Sequence, residues 1–167
     1  MSVQQNPFQR YPEAVTVSNA HAVVYVLATG YYAVHFKESA RIAPASAVQI
    51  LGNEIAIFQG SPDSQKRFSQ AATITAVYML EPSGSMAVPT GQVMIRFPEG
   101  IAIESQESVI REAGYEIAQT LFYAPHTAWL KARSGEVADA LCWISRLKGI
   151  DRVEHVEPQM VLGRSMK

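Results

Sequence analysis

Arg152-Val-Glu-His-Val-Glu-Pro158 decides how this chain is read, because it is where a compact domain has to close. Val153 and Val156 stand among polar residues just after Gly149, which is the pattern of a strand. Gln159-Met-Val-Leu-Gly-Arg-Ser-Met-Lys167, which follows, has no usable periodicity. A domain that closes on a strand and then trails a mixed apolar and basic segment needs something else to hold that segment.

Working upstream, Gly135 to Gly149 reads as the clearest helix of the chain. Val137, Ala140, Leu141, Ile144 and Leu147 recur at helical spacing, and Arg146 and Lys148 fill a basic last turn. Tyr115–Ala124 and Thr127–Ala132 are two strands around Ala124-Pro125-His126. Before them, residues 104–114 form a second amphipathic helix with Ser105 as N-cap, Val109, Ile110 and Ala113 as the apolar stripe, and Gly114 as the stop. Gln92–Phe97 alternates with Val93, Ile95 and Phe97 on one face, and Pro98-Glu-Gly100 ends it. The order is β-α-β-β-α-β, the split βαβ or ferredoxin-like arrangement, with both helices on one face of an antiparallel sheet. The other face is left bare, and a bare apolar face marks a place for a partner.

The first half reads differently. Residues 20–27 and 31–37 are rich in β-branched and aromatic residues and are separated by Thr29-Gly30, while Gly52-Asn53 joins two further strands in a tight hairpin. Residues 72–80 are one more apolar strand, and a small barrel or sandwich is expected. Residues 81–91, Glu-Pro-Ser-Gly-Ser-Met-Ala-Val-Pro-Thr-Gly, have the composition of a linker. The expected fold class is α+β. Its parts are a flexible arm at 1–14, a mostly-β domain at 15–81, a linker at 82–91, a ferredoxin-like domain at 92–158 and an extended tail at 159–167.

Of the 167 residues, 48% are hydrophobic and 17% charged, a globular composition with material for a sizeable core. The formal charge of −1 provides no global field toward nucleic acid or anionic lipid. One cysteine, Cys142, rules out an internal disulfide and fits a reducing compartment. The first residues lack the charged start and apolar stretch of a secretion signal, and no apolar run is long enough for a membrane span, so a cytoplasmic location is expected.

No catalytic constellation is expected. Ser83-Gly-Ser-Met-Ala-Val-Pro89 has the look of a serine-nucleophile segment, yet none of His21, His35, His126 or His155 stands in a setting that would supply its base. The histidines are isolated from one another and from Cys142, so no metal and no cofactor is expected. The sheet lacks the paired aromatics and basic surround of an RNA-binding face. Trp129, beside Leu130, is assigned equally to core or partner surface, and Trp143 borders the last helix stripe.

Residues 92–158 resemble the propeptide domain of subtilisin-like serine proteases. The resemblance is carried by Val93-Met-Ile-Arg-Phe-Pro-Glu-Gly100, the helix ending at Ala113-Gly114, the strand pair through Leu130, the helix of Val137, Leu141 and Leu147, and Val153-Glu-His-Val-Glu-Pro158. It implies a module that inhibits or chaperones a separately made protease, the bare sheet packing on two protease helices. It implies further that Glu157 lies near the N-termini of those helices, where negative charge is favoured. Gln159 replaces a second acid of the family pattern. The tail then enters the substrate cleft as an added strand, through Val161, Leu162, Arg164 and Ser165. One register places Leu162 in an apolar subsite and Ser165 last; the other makes Arg164 the terminal specificity residue. The competing readings are a non-catalytic interaction module that pairs with its own copy as a homodimer, and an enzyme with a pocket among Tyr25, Tyr31, Tyr32, His21 and His35.

Overall fold

The computed structural model describes residues 8–17, 23–36, 47–52, 54–60 and 72–163. Its strands are β1 (Ala14–Thr16), β2 (Val24–Phe36), β3 (Gln49–Leu51), β4 (Ile55–Gln59), β5 (Ala72–Glu81), β6 (Ser85–Arg96), β7 (Tyr115–Leu121), β8 (Ala124–Ala132) and β9 (His155–Leu162). The helices are short: a 3₁₀ turn at Ile103–Gln106 leading into α1 (Glu107–Glu112), then α2 (Val137–Cys142) and α3 (Ile144–Lys148). All strand pairings are antiparallel, in the order β3-β4-β2-β5-β6-β8-β7, with β1 on β2 and β9 on β6.

This overturns the expected fold class. The chain is a mostly antiparallel β protein with nine strands in one sheet among the described residues, rather than an α+β protein with a separate ferredoxin-like domain. The reason lies in two long strands. β6 pairs with β5 through Ser85–Ala87 and with β8 through Gln92–Arg96, so it runs through the segment read as a linker. β9 pairs with both parts of β6, Val93–Arg96 and Ala87–Pro89, so it too belongs to both halves.

Pro89-Thr90-Gly91, the end of the segment read as a linker, is a bulge. The β6–β9 register shifts between Pro89 and Val93, and Gly91 takes φ 95°, a conformation natural to glycine. The Thr90 hydroxyl donates to Gln159 Oε1 at 2.7 Å and accepts from the Gln92 amide at 3.2 Å, fixing the bend. In the same way β2 is one strand with an irregularity between Leu27 and Tyr32, where two strands were expected.

One core lies under the helices. Val93, Ile95, Phe97, Tyr115, Ala128, Leu130 and Val156 from the sheet meet Ile110, Ala140, Leu141, Ile144 and Leu147. Tyr115 is fully buried and its hydroxyl donates to the Ala140 carbonyl, tying β7 to α2. Ser105, expected as the N-cap, sits inside the 3₁₀ turn and donates to the Ala102 carbonyl at 2.6 Å, and Val109 of the expected stripe is exposed. Trp143 breaks the last helix in two; it stands edge-on to Tyr115 at 6.4 Å and carries the Arg146 guanidinium 4.8 Å from its ring centre.

The described part of the expected arm is held as well. Phe8 and Tyr11 pack on this core, Arg10 pairs with the nearly buried Asp139 at 2.9 Å, and the Tyr78 hydroxyl donates to the Pro12 carbonyl at 2.7 Å. Burial pushes the Tyr11 phenol up to about 12.

On the other face, Ala33, Leu51, Ile55, Ile57, Val77 and Val88 form a smaller cluster that takes in Val161. Tyr32, Val34, Ala56 and Phe58 form a third. Beside them His35 shares a 2.9 Å hydrogen bond with the buried Thr75, and burial holds its imidazole below the ordinary 6.5. Folding therefore favours the neutral ring. Its contribution is fully present above about pH 6.5 and is lost as pH falls through the lowered folded value, because the unfolded chain then binds the proton more readily. Chemical denaturation at pH 7 and pH 5 is expected to show a fall in stability that is smaller in His35→Gln.

Candidate docking surface

The surface follows from the alternation of side chains along β9, β6, β8 and β7. Residues directly opposite in a sheet share a face. Met94 lies opposite Trp129 on one side and Glu157 on the other, and Trp129 also lies opposite Gln119. Arg96 lies opposite Thr127 and His155, and Lys131 opposite Gln92 and Glu116. Their neighbours Val93, Ile95, Leu130 and Val156 point under the helices, so all of these residues point away from them.

Among the described residues, no core cluster takes in Met94 or Trp129, and both are half-buried. Around this pair the charges are already matched. Lys131 meets Glu116 at 3.3 Å, Arg96 meets Glu154 at 3.6 Å, and the His155 ring lies 3.3 Å from the Glu157 carboxylate. Such exposed pairs add little to stability. They place polar side chains around an aromatic and a thioether, which is the composition of an interface centre. Trp129, divided in the sequence between core and partner surface, belongs to the surface.

Of the residues expected to bind a protease, Glu157 is on this face, half-exposed beside Met94. The others do not form a free tail. Gln159 accepts the Thr90 hydrogen bond, Val161 lies opposite Val88, and Leu162 lies opposite Ala87. The Gly163 amide donates to the Met86 carbonyl at 2.9 Å. The expected extended tail is therefore a strand as far as Leu162, because it finds an unpaired edge of β6 and a hydrophobic cluster within its own chain. Arg164 and Ser165 lie outside the described residues, as does His21.

Two edge strands of the sheet, β9 and β7, are poorly suited to strand addition. β9 carries Pro158, which has no amide to donate, and β7 is interrupted by a bulge between Ile117 and Gln119.

Ser83 and Ser85 bond each other at 3.3 Å, and the Ser83 hydroxyl donates to the Leu80 carbonyl. Among the described residues no three His, Cys, Asp or Glu side chains are grouped to hold a metal, and no helix is long and apolar enough to cross a membrane. Comparison with protein-family models, curated proteins and solved structures gives no match.

Sequence reasoning missed the turn joining β7 and β8. Phe122 and Tyr123, read as the end of a strand, stand almost entirely in solvent, at 95% and 73% exposure. The signal available was two aromatics placed directly before Ala124-Pro125.

Proposed function

We propose that this chain is a non-catalytic docking module that packs the face of β9, β6, β8 and β7 against a partner protein. The observation that supports this is the Met94–Trp129 pair, in register on a face that no described core cluster covers and flanked by the Lys131–Glu116 and Arg96–Glu154 ion pairs. A half-buried tryptophan at the centre of a polar rim is the side-chain type whose truncation costs an interface most.

The partner suggested by the propeptide resemblance is a subtilisin-type serine protease. Docking of the face on two protease helices, with Glu157 near their N-termini, is compatible with its position beside Met94. Insertion of residues 159–162 in the cleft is not part of the proposal, since these residues are paired with β6.

Two measurements test it. Purified subtilisin-type proteases from the same source are assayed with the chain; slow, tight inhibition supports this partner, and no inhibition of any of them removes it. The protein recovered with the chain from its source is then purified and titrated against wild type and Trp129→Ala. Loss of about 2 kcal/mol, roughly thirtyfold in affinity, is expected. Equal affinity in a folded Trp129→Ala variant would overturn the docking face, whoever the partner is.

A further inference from the structure

We propose that a second copy of this chain seats its β7–β8 turn in an apolar groove at the far end of the sheet, joining copies head to tail. The knob is Phe122 and Tyr123. Their rings lean on each other edge to face at 5.4 Å and touch water over most of their surface. The stretch from Ile117 to Leu130 contains no Asp, Glu, Lys or Arg, so the whole turn is uncharged.

The hole is a groove of about 950 Å³ lined by Tyr31, Val48, Ile50, Leu51, Met86 and Leu162, with Gln49, Ser83 and Ser85 adding polar groups. Among the described residues that line it, none is charged. Three of them are large apolar groups left in solvent: Val48 at 49%, Ile50 at 41% and Leu162 at 47% exposure. An exposed aromatic pair and an exposed apolar groove are each unfavourable in water, and joining them desolvates no ionised group. The Tyr123 hydroxyl meets serine hydroxyls at the rim, which can take its hydrogen bond.

The geometry excludes the intramolecular version. β6 begins at the groove, with Ser85 and Met86, and ends at Arg96, opposite Thr127 near the turn. Twelve strand residues put the two features roughly 35 Å apart. Because knob and hole are different patches, the contact is heterologous and adds copies in a row rather than closing a pair. Two aromatic side chains bury about 300–400 Å² on the knob side, which places the contact among weak, concentration-dependent associations. It uses neither Met94 nor Trp129, and so stands apart from the docking face.

The test is the mass of the full chain by light scattering across a wide concentration range. The wild type is expected to rise above its 18.3 kDa monomer mass with concentration, and the Trp129→Ala variant to rise with it. A Phe122→Ser, Tyr123→Ser double variant and an Ile50→Glu variant are each expected to stay monomeric alone. Mixed in equal amounts they are expected to form a dimer and stop there, since only one intact knob and one intact hole remain. Val48→Glu serves where Ile50→Glu fails to fold. A wild type that stays monomeric throughout, a knob variant that associates like wild type, or a mixture that stays monomeric overturns the proposal.

Discussion

Replacing Gly114 with alanine is expected to lower the unfolding free energy by about 2–6 kcal/mol. Two effects act at the same atom. Gly114 follows α1 with φ 101°, a conformation that costs a side chain about 1–3 kcal/mol. A Cβ there would also stand 2.7 Å from Cε3 of the Trp143 ring and 3.0 Å from Cζ3. The ring cannot swing away freely, because Tyr115 lies edge-on to it and Arg146 lies over it. Relief requires moving Trp143 off the fully buried Tyr115, and overpacking of this kind costs about 1–3 kcal/mol more. Urea denaturation read by far-ultraviolet circular dichroism gives the value. Trp143→Ala in the Gly114→Ala background should recover part of the loss; no recovery would mean that backbone strain alone is responsible.

Deleting residues 159–167 is expected to destabilise the chain by about 3–4 kcal/mol. The cut removes Val161 from the cluster of Ala33, Val77 and Val88, and Met160 from the main core. It also removes the pairing of Met160–Leu162 with Ala87–Pro89 and the Gln159 acceptor of Thr90. The unpaired backbone of β6 would then face water beside exposed valines, inviting aggregation. A dangling tail would give no change at all in the same denaturation experiment. Loss of inhibition after such a truncation, taken alone, would not show a cleft-binding tail, because the fold is weakened too.

Much of the local structure was legible in the sequence, since it is written in short-range patterns. β3 and β4 pair antiparallel on either side of the expected turn, of which Asn53 lies outside the described residues; residues 72–80 fall in β5, and Ala140, Leu141, Ile144 and Leu147 turn their stripe to the core. What was not legible depends on pairing between distant segments. Pro89-Thr90-Gly91 has the composition of a linker and of a bulge alike, and only the partner strand β9 decides between them. Gln159–Leu162 has no alternation because Gln159 answers a bulge and Leu162 sits at a groove. A single sheet through both halves is invisible to local periodicity for the same reason. The docking face was half legible: its bare side followed from the expected helix placement, and Glu157 is on it, but Trp129 gained its place only from its register with Met94.

The central claim is that residues 159–163 belong to the sheet, so that a folded face rather than this segment meets a partner. Amide hydrogen exchange of the free protein over residues 156–163 tests it most directly. The account predicts slow exchange at Met160, Val161 and Gly163, comparable to the amides of β6, because these residues are paired in the sheet. Exchange there at the rate of an unstructured peptide, with β6 still protected, would contradict it.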